Sequence, residues 1–193
     1  MSDPRISSRS DEELMALFQK GELAAFNELV QRYKDPLTSF AFRFLGDRDE
    51  ADDIVQESLV RVYRNSATYR VSMKFSTWVY TIAANLAKTR ARRRSMRRMI
   101  RLGFTDDGRE REIPSMSPSP DEETDELLRE EKVHQAIQKL PVEFRQALVL
   151  RDIQELSYEE IAGITGKSVG TIKSRISRAR DRLRMLLHDL LGE

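Results

Sequence analysis

Apolar positions in the first hundred residues recur every three to four, the spacing of one helix face, and no stretch alternates as a strand would. Ser10 and Glu13 have the spacing of a capping box at the start of the run DEELMALFQKG, which Gly21 closes. Phe26, Leu29, Val30, Tyr33 and Leu37 continue the stripe, with a break expected at Pro36; Phe40, Phe42 and Phe44 then lead to Gly46. Over residues 47–64, Ala51, Ile54, Val55, Ser58, Leu59 and Val62 share one face. Asp53, Gln56, Glu57 and Val60 occupy the other, an acidic surface with an apolar residue in its middle, which reads as a docking surface.

The pattern returns in residues 132–193. Val133, Ile137 and Leu140 open a helix, and Pro141 suits the first turn of a second that carries Phe144, Leu148 and Ile153. Ser157 with Glu160 repeats the capping-box spacing before a short helix with Ile161 and Ile164 inward. Gly166 and Lys167 make a tight turn, Ser168 can cap the next helix, and the spacing matches a helix-turn-helix with its recognition helix beginning near Val169. Val169, Ile172, Ile176, Ala179, Leu183, Leu186 and Leu190 form one stripe on that helix. Opposite lie Ser174 and Arg178, with Thr171 and Ser177 beside them and Lys173 and Arg175 on the flanks. Small hydroxyl residues admit a close approach to the major groove, and cations reach guanine edges or phosphates, so this face is expected to bind duplex DNA. A basic amphipathic helix that merely packs or dimerises would show the same stripe.

Charge divides the chain more sharply than its net value of +1 over 193 residues suggests. Residues 1–58 sum to −6, 59–102 to +12 with no acidic side chain, 103–131 to −8 and 132–193 to +3. The third block holds Pro114, Pro118 and Pro120 followed by DEETDE, and has too little apolar surface to offset its ordering entropy. It reads as a flexible acidic linker at 103–131 between two all-α domains, 2–102 and 132–193, whose spacing would vary in the free chain. The acid-free block carries Tyr63, Tyr69, Phe75, Trp78 and Tyr80 and then Lys88, Arg90, Arg92, Arg93 and Arg94. Cations that follow phosphates beside aromatic faces that stack on bases are what single-stranded nucleic acid requires. Taken singly, Phe75, Trp78 and Tyr80 read better as core, and the combination carries the argument. Asn85 and Lys88 project from the same helix and can meet a base edge or a phosphate.

Several chemistries drop out. There is no cysteine, and the two histidines, His134 and His188, lie far apart, so no metal site, disulfide or cofactor is expected. No acid sits in a nucleophile–base pattern, so catalytic residues are expected to be absent and the chain is not expected to be an enzyme. No apolar run approaches the roughly 18 residues of a membrane span, and the first residues lack a signal peptide's apolar core. A cytoplasmic protein without stable membrane insertion is expected.

Three segments, DEADDIVQESLVRVY, KFSTWVYTIAANLAKTRARRR and LPVEFRQALVLRDIQELSYEEIAGITGKSVGTIKSRISRARDRLR, resemble the sigma factors of bacterial RNA polymerase, specifically the extracytoplasmic-function (group four) subfamily of the sigma-70 family. The resemblance covers 2–102 and 132–193 and implies sigma regions two and four without region three. It implies that Asp53, Gln56, Glu57 and Val60 meet the clamp helices of the polymerase β′ subunit, with the β flap a further contact. It implies that residues 69–94 melt the minus-ten element and capture an extruded base. There Phe75 and Trp78 belong to the melting surface, Asn85, Lys88, Arg92 and Arg93 contact the element, and the loop before Phe75 shapes the base pocket. Thr171, Lys173, Ser174, Arg175, Ser177 and Arg178 would read the minus-thirty-five element in the major groove. The linker resembles a segment threaded towards the polymerase active-site cleft, and an anti-sigma factor is an implied partner. Two other classes fit parts of the sequence. An autonomous helix-turn-helix regulator would have no need of the basic-aromatic segment, and an RNA-binding protein would prefer RNA to promoter DNA.

Overall fold

The computed structural model describes residues 4–101 and 122–191, and among these every regular element is helical. The first half consists of α1 (Pro4–Ser7), α2 (Asp11–Gln19), α3 (Leu23–Leu45), α4 (Arg48–Arg64), a 3₁₀ turn (Ser66–Thr68) and α5 (Phe75–Arg101). The second consists of α6 (Glu122–Lys139), α7 (Val142–Leu148), a π-helical stretch (Val149–Ile153), α8 (Tyr158–Thr165) and α9 (Val169–Leu191).

Local chemistry sets the boundaries. Both capping boxes form: Ser10 Oγ accepts from the Glu13 N–H while Glu13 accepts from the Ser10 N–H, and Ser157 and Glu160 repeat the exchange. Gly46 ends α3 at φ +77 and Gly166 ends α8 at φ +65, left-handed conformations that a Cβ disfavours.

Pro36 does not break its helix, contrary to expectation. α3 runs through it, because Leu29, Leu37, Phe40, Ala41 and Phe44 on either side all bury on one face. Each of these leucines and phenylalanines stabilises by roughly 1.5–3 kcal/mol, which together outweighs about 3 kcal/mol for an interior proline. Pro36 is exposed, so the carbonyl left without a helical donor can face water.

Residues 103–121 of the expected linker lie outside the described residues, but α6 already begins at Glu122. The acidic run after Pro120 therefore opens a helix, where carboxylates near the N-terminus complement the helix dipole. The expected helix continuing to Ile153 is also altered: α7 ends at Leu148, and the π stretch comes next, with the Gln154 N–H donating to the Val149 carbonyl at 3.1 Å.

The two halves share one hydrophobic core rather than standing apart. Phe40, Phe44, Phe75, Val79 and Ala83 bury with Ile137, Leu140, Leu150 and Ile161. Phe42 of α3 stacks on His134 of α6 with ring centroids 4.6 Å apart. The last turn of α3 is completed from elsewhere. The carbonyls of Arg43, Phe44 and Leu45 accept from Gln138 Nε2 at 2.8 Å, Arg145 Nη1 at 2.9 Å and Arg94 Nη1 at 3.3 Å. These helix-end carbonyls lack intrahelical donors and carry the negative end of the dipole, so two arginines and an amide suit them. The expected variable spacing is thus replaced in this structure by a packed interface.

Candidate nucleic-acid interface

The helix-turn-helix presents the clearest face. Ile161 and Ile164 of α8 bury with Ile172, Ile176 and Ala179 of α9, and the Thr171 N–H donates to Ser168 Oγ at 3.2 Å to cap α9. With that stripe inward, Lys173, Ser174, Ser177 and Arg178 are exposed, and Thr171 and Arg175 are half-buried at the edges. Ser174 Oγ donates to the Thr171 carbonyl at 2.9 Å, and the hydroxyls of Ser168 and Thr171 lie 2.8 Å apart. The Lys173 ammonium sits 5.6 Å from the Tyr158 ring centroid, where Arg151 also lies at 4.9 Å. Arg180, just beyond the reading face, forms two bonds to Asp152 at 2.5 and 3.0 Å, tying α9 to the π stretch.

The second face belongs to α5 and divides in two. Lys88 and Arg92 turn towards α7, where both approach Glu143, at 3.8 and 3.4 Å. Asn85 and Arg93 lie on the side facing α4, lining an open cavity of about 220 Å³ together with Ile54, Glu57, Arg61, Leu86, Thr89 and Arg90. The expected minus-ten residues are therefore not one continuous patch in this conformation. Trp78 is half-buried, tilted against Tyr69 at 5.1 Å and meeting Phe75 near edge-on at 6.1 Å. Phe75 departs from the expected DNA-contacting set: it is 1% exposed, wedged beneath Tyr33, Tyr69 and Trp78. A ring with no free face supports a neighbouring surface and cannot itself stack on a base.

On α4, Asp53, Gln56, Glu57 and Val60 all point outward, Val60 at 40% exposure, while Ala51, Ile54, Val55, Ser58 and Val62 bury. Glu57 pairs with Arg61 at 2.5 Å, and Asp53 lies 3.6 Å from Arg90 of α5. Exposed pairs of this kind are worth roughly 0–1 kcal/mol, so they can be exchanged for a partner's charges at little cost.

Sequence reasoning missed the carboxylates of the second half that meet these cations. Glu160 accepts from Lys74 at 2.9 Å while capping α8, and its pKa falls to about 2 through the Lys74 hydrogen bond, aided by the Ser157 N–H. Burial acts to raise Glu143, but a backbone hydrogen bond and the charges of Lys88 and Arg92 outweigh it and hold the carboxyl below its ordinary value. Glu160 could be read locally as a cap, but no local pattern links it to Lys74, 86 residues away.

An exposed, hydroxyl-rich and cationic recognition helix, together with a separate basic-aromatic helix, defines a two-domain helical DNA-binding protein. Comparison with known proteins specifies it further. Residues 29–97 match the family model described as Sigma-70 region 2, and residues 130–183 that described as Sigma-70, region 4. The chain is 35% identical over 191 residues to the RNA polymerase sigma-H factor of Pseudomonas aeruginosa, covering 97% of this chain and 99% of that protein. It is 37% identical to the ECF RNA polymerase sigma factor SigW of Bacillus subtilis over 89% of this chain and 94% of that one. Among solved structures it resembles CnrH in complex with the cytosolic domain of CnrY, with a TM-score of 0.70, 25% identity and coverage of 94% and 99%. It also resembles the sigma factor RpoE in complex with the anti-sigma factor NepR from Bartonella quintana, with a TM-score of 0.64, 28% identity and coverage of 84% and 96%. The chain belongs to the sigma-70 family of RNA polymerase sigma factors, in the extracytoplasmic-function subfamily. As such it directs promoter-specific transcription initiation by core RNA polymerase.

Proposed function

We propose that this sigma factor divides promoter recognition between two surfaces. Lys173, Ser174, Arg175, Ser177 and Arg178, with Thr171, read the minus-thirty-five duplex in the major groove, and the loop before α5 with Trp78, Asn85, Lys88, Arg92 and Arg93 opens and holds the minus-ten strand. Asp53, Gln56, Glu57 and Val60 dock on the β′ clamp helices. The observation that carries this reading is that one chain holds two cationic faces of different kind: a hydroxyl-lined helix after a capped turn, and an acid-free helix beside clustered aromatics. The first suits a duplex, whose groove admits a helix, and the second suits an unpaired strand.

Lys74, Lys88 and Arg92 are held by Glu160 and Glu143, so capture of the strand exchanges those carboxylates for phosphates and separates the two halves. Docking and phosphate contacts together offset base flipping, which costs a few kcal/mol. The chain supplies binding and no catalysis, since nucleotide chemistry belongs to the polymerase. Among the described residues no helix is long and apolar enough to cross a membrane. A cytoplasmic location is our reading, supported by the chain's work on RNA polymerase. An anti-sigma factor is a further partner, a reading supported by the NepR complex of a structural relative.

Run-off transcription with core polymerase tests the whole reading. Initiation at a defined promoter is expected only when this chain and the polymerase are combined; tight binding to palindromic duplexes without polymerase would favour an autonomous regulator.

A further inference from the structure

We propose that Glu12 and Gln19 are positioning residues for strand opening: from α2 they fix both ends of the loop at residues 65–74, which leads into α5. The inference rests on the assignment of that loop to the minus-ten strand. Only short local bonds shape the loop from within. The Thr68 N–H donates to the Asn65 carbonyl at 2.9 Å, that of Tyr69 to Ser66 at 3.1 Å, and the Tyr69 hydroxyl to the Met73 carbonyl at 2.5 Å. At its tip Val71 and Met73 are 59% and 43% exposed, unusual for apolar side chains next to cations, and Arg70 and Lys74 stand beside them.

Two side chains of α2 hold this loop from outside. Gln19 Nε2 donates to the Ser66 carbonyl at 2.8 Å and to the Tyr69 carbonyl at 3.0 Å, using both amide hydrogens on carbonyls three residues apart. Glu12 Oε1 accepts from the Phe75 N–H at 3.0 Å. That N–H is the first of α5 and has no intrahelical acceptor, and the carboxylate also favours the positive end of the helix dipole.

Glu12 and Gln19 are seven residues apart, two helical turns, so they share one face of α2 with the buried Met15 between them. α2 is itself anchored. Asp11 accepts from Arg32 at 2.7 Å and from the Tyr33 hydroxyl at 2.5 Å, both on α3. The loop is therefore tied to α3 through α2, in addition to the Lys74–Glu160 pair that reaches α8, and neither Glu12 nor Gln19 needs to touch DNA to decide where Val71 and Met73 stand.

The test uses the full chain with core polymerase on a duplex promoter selected from random DNA by transcription with the parent chain. Permanganate reactivity of the opened strand, polymerase affinity and the thermal midpoint are measured for each variant. Glu12→Ala loses the acceptor, Gln19→Glu replaces both donors with a carboxylate facing carbonyls, and Glu12→Gln keeps an acceptor. The first two are expected to lower open-complex formation about tenfold, roughly the value of one net hydrogen bond. Polymerase affinity should stay at the parent's level and Glu12→Gln should remain close to it. Parent-level opening by Glu12→Ala and Gln19→Glu, alongside a defect in the double variant Val71→Ser with Met73→Ser, would overturn the positioning role while leaving the loop assignment intact. Equal losses of polymerase affinity and opening would also overturn it, marking Glu12 and Gln19 as general supports of the fold. Parent-level opening by the loop-tip variant would remove the loop assignment, and the positioning role with it.

Discussion

Replacing Arg145 with methionine tests one of the polar ties that join the two halves beside their shared core. The guanidinium donates to the Phe44 carbonyl of α3 at 2.9 Å, to Gln138 Oε1 at 2.7 Å, to the Leu140 carbonyl at 3.0 Å and to the Gln138 carbonyl. Burial lowers its pKa to about 10, with Arg94 adding like charge, and it remains a cation at neutral pH. Only the bond to Phe44 crosses between the halves directly. A second is affected through Gln138, whose Nε2 reaches the Arg43 carbonyl while its Oε1 is fixed by Arg145. A net charged hydrogen bond contributes about 1.5–3 kcal/mol and a neutral one about 0.5–1.5, figures that already include drying the groups. Loss of the first and partial loss of the second amount to about 2–4 kcal/mol, or roughly a 30- to 700-fold shift towards separated halves. The chain has no cysteine, so dye pairs can be placed at exposed sites such as Asn27 and Arg182 without removing native thiols. Single-molecule energy transfer in Arg145→Met is expected to move to longer distance, and affinity for a single-stranded minus-ten oligonucleotide to rise as Lys88 and Arg92 leave Glu143. An unchanged transfer distribution with a lowered thermal midpoint would rule this out, since the bonds would then serve the second half alone.

Arg178→Ala should weaken recognition at the minus-thirty-five element by about 1–3 kcal/mol, measured as the ratio of transcription from matched and mutated elements; an unchanged ratio would exclude a base contact. Trp78→Ala should leave polymerase affinity intact and reduce permanganate reactivity, and because Trp78 is half-buried against Tyr69 the thermal midpoint should also fall. His134 should make the closed structure acid-sensitive. Its ring nitrogens are buried without a hydrogen-bond partner, and its pKa is lowered by burial and by Arg43 and Arg145, against a smaller opposing effect of Glu131. The unfolded chain takes up this proton first, so stability is complete above the ordinary value of 6.5 and declines as pH falls from there towards the lower folded value. His134→Phe keeps the stack on Phe42, itself within 6.0 Å of Arg48, and should show a smaller drop in thermal midpoint between about pH 7.5 and 5.5. Equal drops in both proteins would assign the acid sensitivity to other groups.

Particular residues show why some features are legible in the chain and others are not. Ser10 and Ser157 act within one turn, so their spacing to Glu13 and Glu160 alone predicts capping boxes that the structure contains. The stripe on α9 dictates which side chains face outward, because a helix with Ile172, Ile176 and Ala179 inward can only expose Ser174, Ser177 and Arg178. At Pro36 the local rule fails, since it gives the cost of an interior proline but not the burial on either side. Phe75 resembles a nucleic-acid contact because an aromatic at helical spacing looks the same whether it is packed or presented, and its contacts with Tyr33 and Trp78 depend on how the helices assemble.

The helices, their caps, the charge of each face and the family are all written in residues a few positions apart or in short motifs, and the amino-acid order suffices for them. Assembly of the chain was needed to bring Lys88 and Arg92 to Glu143, to let Glu12 and Gln19 hold a loop 47 to 63 residues away, and to end α3 on donors from α5, α6 and α7. A helix specifies its own hydrogen bonds except at its ends, and the groups left over there find partners wherever packing brings a donor or an acceptor.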